Sequence, residues 1–349
     1  MHQSGFNTLL INCFSHGYTV YPSEIMRGYK LPSQNPTFRE GDPVLALLRA
    51  ARRIGLAVYA LVDCLKVGDY ARSRSPILRR RPEWAIRGRT GADRRPEREY
   101  LCPVNRHVWR FLGDLFHEVL ELYGFRGLYM RHLQYPLLPD RGAQADFCRC
   151  SSCRRAVWHS LGVRIEQIPD DPDHPDRYNI TAWRAQQLED LVRYLRLRTA
   201  KACVEARAIA EVLLDDEDTP LDALGYQDAR SWSEERLVPI MAVKPPPDRQ
   251  ENSEDWIETV SEFADSVLTM PVLSARSDSP LTDVLQTFRT QPISGIAVAE
   301  PHDLTAPPLN QLAWSVWRHN TRVAEDQPSM SICALLAARR RTDESGSDR

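Results

Sequence analysis

The sequence predicts an α/β fold and, within that class, a parallel (β/α)8 barrel of the TIM type. Three observations support this prediction: the length of 349 residues, the alternation of strand-like and helix-like segments, and the polar residues placed where strands end. One barrel of about 250 residues with insertions accounts for a chain of this length. We expect a single domain over 1–320 and an extension over 321–349, with a short helix at 331–341 and a disordered tail.

Seven segments are predicted as strands, because short apolar runs rich in β-branched residues are bounded there by turn residues. In chain order they are 7–14, 56–64, 127–133, 208–214, 237–243, 267–273 and 295–299. Parallel strands need crossover connections of a dozen or more residues, and most of these segments are spaced widely enough for a helix. The spacing therefore predicts a parallel sheet with helices on its outer side.

Six segments are predicted as helices by their amphipathic period. They are 43–54, 106–123, 182–198, 253–264, 281–288 and 309–317. In 182–198, for example, Leu188, Leu191 and Leu195 form an apolar stripe opposite a charged one. Each predicted helix can therefore pack one face against the sheet.

A closed barrel of this type needs eight strands, and the sequence supplies seven. The strand expected before residue 7 is missing, so the first and last predicted strands would expose unpaired backbone groups. Three arrangements would satisfy those groups: an upstream start codon that supplies the strand, closure by distortion, or a partner that fills the gap. We prefer the first. The chain as written carries no secretory signal, which predicts a cytoplasmic protein unless an upstream start adds a leader.

The charge balance argues against a polyanionic partner. Lys and Arg number 45 against 47 Asp and Glu, a net charge of −2, so no overall field favours nucleic acid or anionic lipid. The sequence contains no stretch of 18 apolar residues, so it predicts no membrane span. The segment 72–98 holds ten arginines and no lysine. It is interpreted either as an anion-binding lip or as a solvated loop.

Several motifs occur in the order of one known family. The strand segment reads Phe-Arg-Gly-Leu-Tyr-Met-Arg-His-Leu-Gln-Tyr-Pro over 125–136. It resembles the Asp-Gly-Ile-His-Phe/Leu-Asp-Tyr-x-Arg-Tyr-Pro strand of the glycosyl hydrolase-like family 10 barrels. Further similar marks are Gly5-Phe6-Asn7-Thr8, Tyr21-Pro22-Ser23-Glu24, Asp42-Pro43, Pro82-Glu83-Trp84 and Cys102-Pro103. The resemblance covers about residues 5–300, and Arg126 and Arg131 stand where the family carries its two aspartates.

The resemblance implies a glycoside hydrolase that needs no cofactor. Such hydrolysis uses two carboxyl groups, about 5 Å apart for retention and roughly 6.5–9.5 Å apart for inversion. A guanidinium stays protonated and cannot act as a general acid or base. We therefore expect hydrolysis to be weak or lost. The remaining strand-end acids are Asp63, Glu211, Asp215 and Glu300. They are candidates either for a relocated catalytic pair, such as Glu211 and Glu300, or for partners of arginines.

Ligand-binding residues are expected where the strands end, because barrel sites form at the carboxyl ends of the strands. The candidates are Asn12, His16, Tyr59, Tyr129, Arg131, His132 and Tyr135. Tyrosine faces and polar groups of this kind suit a carbohydrate, although tyrosines at strand ends also serve as packing residues. The alternative is a non-enzymatic binding or scaffold module that docks through the arginine-rich segment and the cysteine loop.

Three cysteines cluster in the loop 137–180. Cys148, Cys150 and Cys153 lie within six residues, and thiolates at such spacing suit zinc. A fourth ligand is needed, for which His159 and His132 are the candidates. A structural zinc, a disulfide with a free thiol, and three reduced thiols all remain open. The other cysteines are interpreted as core residues or reduced thiols.

Overall fold

The computed structural model describes residues 7–68, 75–88, 99–137, 148–168, 174–246, 253–274, 287–288, 291–299 and 335–336. The strands are β1 (Thr8–Ser15), β2 (Tyr18–Thr19), β3 (Ala57–Asp63), β4 (Gly127–Arg131), β5 (Arg207–Leu213), β6 (Ile240–Lys244), β7 (Thr269–Ser274), β8 (Ile296–Ala299) and β9 (Leu335–Leu336). The helices are α1 (Glu24–Gly28), α2 (Pro43–Arg53), α3 (Pro76–Arg80), α4 (Arg106–Tyr123), α5 (Ser151–Leu161), α6 (Pro175–Ala202), α7 (Ala229–Glu234) and α8 (Glu254–Ala264).

The strands form one sheet in the order β2-β1-β3-β4-β5-β6-β7-β8-β9. β1 and β3 to β8 are parallel to their neighbours, whereas β2 and β9 pair antiparallel at the two edges. Parallel strands that follow one another in chain order without a reversal are wound in one direction, as in a TIM barrel. All seven predicted strands and the fold class are confirmed. The described residues contain seven parallel strands, which makes the architecture a partial TIM barrel.

Local capping explains where the predicted helices begin and end. Asp42 accepts a hydrogen bond from the backbone N–H of Leu45 and starts α2, with Pro43 in the first turn. Asn105 caps α4 in the same way, and Gly124 ends it in the left-handed conformation at φ 58°. The predictions 43–54, 106–123 and 253–264 are thus confirmed to within a residue at each end.

Other helix predictions need correction. α6 begins at Pro175, after a cap from His174, and extends to Ala202, because the apolar stripe used for the prediction 182–198 marks only its packed centre. The predicted loop 137–180 contains α5, which sequence reasoning missed. α7 is a short helix that Asp228 caps. Of 281–288, only 287–288 are described, as helix, and 309–317 lies outside the described residues.

The parts of the fold that position strand ends are tightly packed. A Cβ at Gly127, the first residue of β4, would lie 1.9 Å from the carbonyl oxygen of Arg207, so glycine is needed for this close approach of β4 to β5. One buried apolar core extends from Ile11 to Val298. In the described part of the chain, no helix has the length and apolar character that a bilayer crossing needs. Of the predicted extension 321–349, residues 335–336 are described and form β9 rather than the expected helix.

Candidate functional site

The parallel register brings charged side chains together at the carboxyl ends of the strands. Asp63 of β3 pairs with Arg131 of β4. Glu211 of β5 pairs with Ala242, two residues before Lys244 on β6. Since side chains two residues apart on a strand share a face, Lys244 lies on the same face as Glu211. We call Asp63, Arg131, His132, Glu211 and Lys244 the strand-end site.

Arg131 and Asp63 form a two-point ion pair in the strand-end site. Arg131 Nε lies 2.6 Å from Asp63 Oδ1, and its Nη2 lies 3.2 Å from Oδ2. The Asp63 side chain is 5% exposed and that of Arg131 28%. Burial alone would lower the pKa of Arg131, but hydrogen bonds and charge from Asp63 outweigh it, so the pKa is raised. The guanidinium is therefore a permanent cation, and its Nε and Nη2 groups both donate to the Asp63 carboxylate.

Glu211 is also held by partners at both oxygens. Tyr129 donates its hydroxyl to Oε2 at 2.9 Å, and Lys244 Nζ lies 2.7 Å from Oε1. The carboxylate is buried, whereas the Lys244 side chain is 30% exposed. Burial, with the adjacent Glu211 charge, raises the pKa of the Tyr129 phenol, which therefore stays a hydrogen-bond donor.

His132 follows β4 in an uncommon backbone conformation. Its φ is +56°, in the left-handed region, and His16 after β1 has φ +51°. The His132 Nε2 lies 3.8 Å from Asp63 Oδ1, and its backbone oxygen accepts the N–H of Leu65. Burial lowers the pKa of His132 well below its usual value, and the positive charges of Arg131, Lys244 and Lys66 lower it further. The imidazole is therefore neutral at neutral pH.

The other predicted binding residues are not all at this edge. Asn12 and His16 do lie at this edge, near the carboxyl end of β1, and both are exposed. Tyr59 is buried towards the amino-terminal end of β3, and this burial raises the pKa of its phenol despite the nearby charges of Arg207 and Arg126. Tyr135 is fully buried and packs edge-on against Tyr226, with 5.0 Å between ring centroids.

Two positions bear on the expected loss of catalysis. Arg126 precedes β4 and is exposed, and its backbone N–H donates to Val58 at the amino-terminal end of the sheet. Of the two arginines that stand where the resemblance predicts aspartates, only Arg131 is therefore in the strand-end site. Glu300, the other candidate for a relocated catalytic acid, lies outside the described residues.

A second cluster consists of four buried cysteines, Cys102, Cys148, Cys150 and Cys153, whose sulfur atoms all lie within 4.8 Å of one another. Cys102 Sγ is 3.5 Å from Cys153 Sγ and 3.6 Å from Cys150 Sγ. A disulfide would bring two sulfurs to about 2.05 Å, and all described cysteines are free, so the disulfide alternative is wrong for this structure. We call this group the four-cysteine cluster.

The chemistry of this cluster suits a metal. Four thiolates about 2.3 Å from one zinc would lie roughly 3.8 Å apart, close to the sulfur separations seen here. The backbone N–H of Arg87 donates to Cys148 Sγ at 3.0 Å, an outer contact typical of metal-binding thiolates. Hydrogen bonding with Cys102 lowers the pKa of the Cys150 thiol, which favours the thiolate form that a metal ligand needs. The four-cysteine cluster could hold a metal ion.

The fourth cysteine is a site residue that sequence reasoning missed. His159 is exposed on α5, and His132 lies beside Asp63, so neither expected histidine belongs to the four-cysteine cluster. Cys102 takes that place from a loop 46 residues before Cys148. The Cys102-Pro103 motif was recognised as a family mark, but nothing local linked it to the cysteine loop. Considering all eight cysteines as possible ligands of one metal site would have included Cys102 among the candidates.

Comparison with known proteins shows a similarity of fold. No family model and no curated protein matches the chain. A catalytic mutant of a GH42 β-galactosidase from G. stearothermophilus superposes with a TM-score of 0.59 at 11% identity, over 90% of this chain and 52% of that one. A β-galactosidase from the psychrophilic Marinomonas ef1 gives 0.54 at 8% identity, over 88% and 58%. The chain thus spans a little over half the length of these structures.

These neighbours and the sheet topology define the class of fold, which is a TIM barrel. At identities this low, the likeness concerns the fold alone, and function has to be argued from the site.

Proposed function

We propose that this chain is a carbohydrate-binding barrel of the glycosyl hydrolase-like family 10 type, with weak or no hydrolysis of glycosidic bonds. The observation that carries the proposal is the two-point pair between Arg131 and Asp63 at the end of β4. A cation that cannot lose its proton occupies the place in which the family resemblance expects an aspartate. It also engages the nearest carboxylate.

The second carboxylate supports the same proposal. Glycoside hydrolysis needs one carboxyl to give a proton and another to attack or to activate water. Glu211 accepts hydrogen bonds from Tyr129 and Lys244, so neither oxygen is left to donate a proton to a leaving group. The strand-end site therefore supplies hydrogen-bonding groups suited to sugar hydroxyls, without a visible acid–nucleophile pair among the described residues.

Binding and turnover should be measured separately on the same protein. We expect saturable binding to at least one glycan on a broad array, including peptidoglycan, plant and algal polysaccharides, and no more than trace release of reducing ends. Arg131→Leu should weaken that binding, whereas Arg126→Leu at the far end of β4 should leave it unchanged. Robust hydrolysis abolished by Glu211→Gln or Glu300→Gln would replace this proposal with an active hydrolase whose acids are relocated. Absence of glycan binding would favour a scaffold module.

We also propose that the four-cysteine cluster holds a structural zinc. Buried thiols at these separations, from two loops distant in sequence, favour a closed tetrahedral site over a catalytic one, which would keep a position open. The zinc would tie the segment before α4 to the segment after β4. It would take no part in binding sugar.

A further inference from the structure

Cationic side chains from three separate elements surround His132 in the strand-end site. Arg131 ends β4, Lys244 ends β6, and Lys66 lies in the loop after β3. Leu65, next to Lys66 in the chain, donates its backbone N–H to the oxygen of His132 at 3.2 Å, and Lys244 contacts Glu211, whose other oxygen accepts the hydroxyl of Tyr129 on β4. Besides burial, the charges of Arg131, Lys244 and Lys66 lower the pKa of His132. Each of these three cationic side chains is partly exposed and is therefore accessible to a ligand at the strand-end site.

The positive charge at this point is incompletely balanced. Arg131 is paired with Asp63, and Lys244 with Glu211. Lys66 makes no ion pair with any residue in the described part of the chain, although it is only partly exposed. A partly buried ammonium that has no counter-charge among the described residues favours an anionic ligand, since the surrounding protein screens its charge less than water does.

The neighbouring groups suit a sugar that carries this anion. His132 is neutral, and its imidazole can donate one hydrogen bond to a hydroxyl and accept another. Both carboxylates of the strand-end site already have cationic partners, which limits their repulsion of an incoming carboxylate. We propose that the strand-end site binds an acidic sugar, a uronic or sialic acid unit, with its carboxylate at Lys66 and beside Arg131.

This inference rests on the proposed carbohydrate binding and narrows it to one chemical class. The test is calorimetric titration at pH 7 with oligomers of galacturonate, glucuronate and N-acetylneuraminate, each compared with its methyl ester. We expect at least one acid to bind about tenfold or more tightly than its uncharged ester, a preference that decreases as salt rises. Lys66→Gln should remove most of the preference, and Lys66→Arg should retain it. Lys201→Gln, at the exposed end of α6, is the matched control.

The possible results separate the two proposals. Equal binding of acid and ester, or binding only of neutral glycans, would overturn the acidic-sugar inference and leave carbohydrate binding intact. No binding of any glycan would overturn both. If inorganic phosphate displaced the acidic sugar completely at equal concentration, the strand-end site would be a general anion site, and the inference would fail. An unchanged preference in Lys66→Gln would also contradict it.

Discussion

Asp63 matters at the residue scale because it is nearly buried and balances a guanidinium that cannot deprotonate. Asp63→Asn should leave Arg131 without its counter-charge in a partly desolvated place. We expect a loss of about 2–3 kcal/mol in the free energy of unfolding, measured by urea denaturation. The control is Asp190→Asn, which removes an exposed contact to Arg193 and should cost under about 0.5 kcal/mol. Equal losses in the two variants would show that the Asp63 pair is no stronger than a surface pair.

His132 should make the stability of the protein depend on pH. Its folded pKa is lowered, so the unfolded chain takes up a proton below about pH 6.5 that the folded chain does not. The contribution of neutral His132 is therefore fully present above that pH and is lost as the pH falls towards the folded pKa. Asparagine tolerates the positive φ at this position, so His132→Asn should fold normally. It should reduce the slope of the unfolding free energy against pH, between pH 6.5 and 5, by up to about 1.4 kcal/mol per pH unit.

The matched control for this slope is His117→Asn, because the His117 side chain is 42% exposed on α4, where it lies 3.5 Å from Glu121. We expect this variant to change the slope less than His132→Asn does. A slope unaffected by His132→Asn would contradict this prediction, because it would mean that the ring takes up its proton at the same pH in the folded and unfolded chains.

At the scale of elements, the four-cysteine cluster joins the loop before α4 to the start of α5. Each loop alone lacks enough ligands for a closed site, so removing one cysteine should release the metal. Purified protein should contain one zinc per chain by elemental analysis, and Cys102→Ser should lose it and unfold at lower temperature. Cys203→Ser, at the end of α6, should keep the zinc. Retention of zinc by Cys102→Ser would exclude Cys102 as a ligand.

At the scale of the whole molecule, one core links the early strands to the late ones. Trp256 of α8 is fully buried, packs against Phe288, and donates its indole N–H to the carbonyl oxygen of Leu214 after β5. Trp256→Ala should therefore destabilise the entire barrel by about 3–5 kcal/mol. Tryptophan fluorescence and far-UV circular dichroism should shift together in denaturant.

Trp158→Ala provides the comparison, since Trp158 is 53% exposed on α5 and its loss should change stability by less than about 0.5 kcal/mol. A shift of one spectroscopic transition without the other in Trp256→Ala would show that the two parts of the sheet unfold independently.

The sequence by itself determined the strands, their parallel order and the edge at which polar residues collect. Those features depend on local period, turn residues and the connection lengths that parallel strands require, all of which can be read within a short window. The same local patterns predicted α2 and α4, because Asp42 and Asn105 cap their own helices. The alternation of side chains along the predicted strand 127–133 also placed Arg131 on the face that carries the strand-end site.

Only the tertiary structure decided which of these residues act together. Asp63 meets Arg131, Glu211 meets Lys244, and Cys102 meets the cysteines of a distant loop, through strand register and chain packing that leave no local trace. Burial likewise removed Tyr135 from the candidate ligand surface, since a tyrosine that packs and one that binds look alike in sequence. Contacts between residues far apart in the chain arise when the whole core forms, which is why a single sequence could supply the candidates but not their partners.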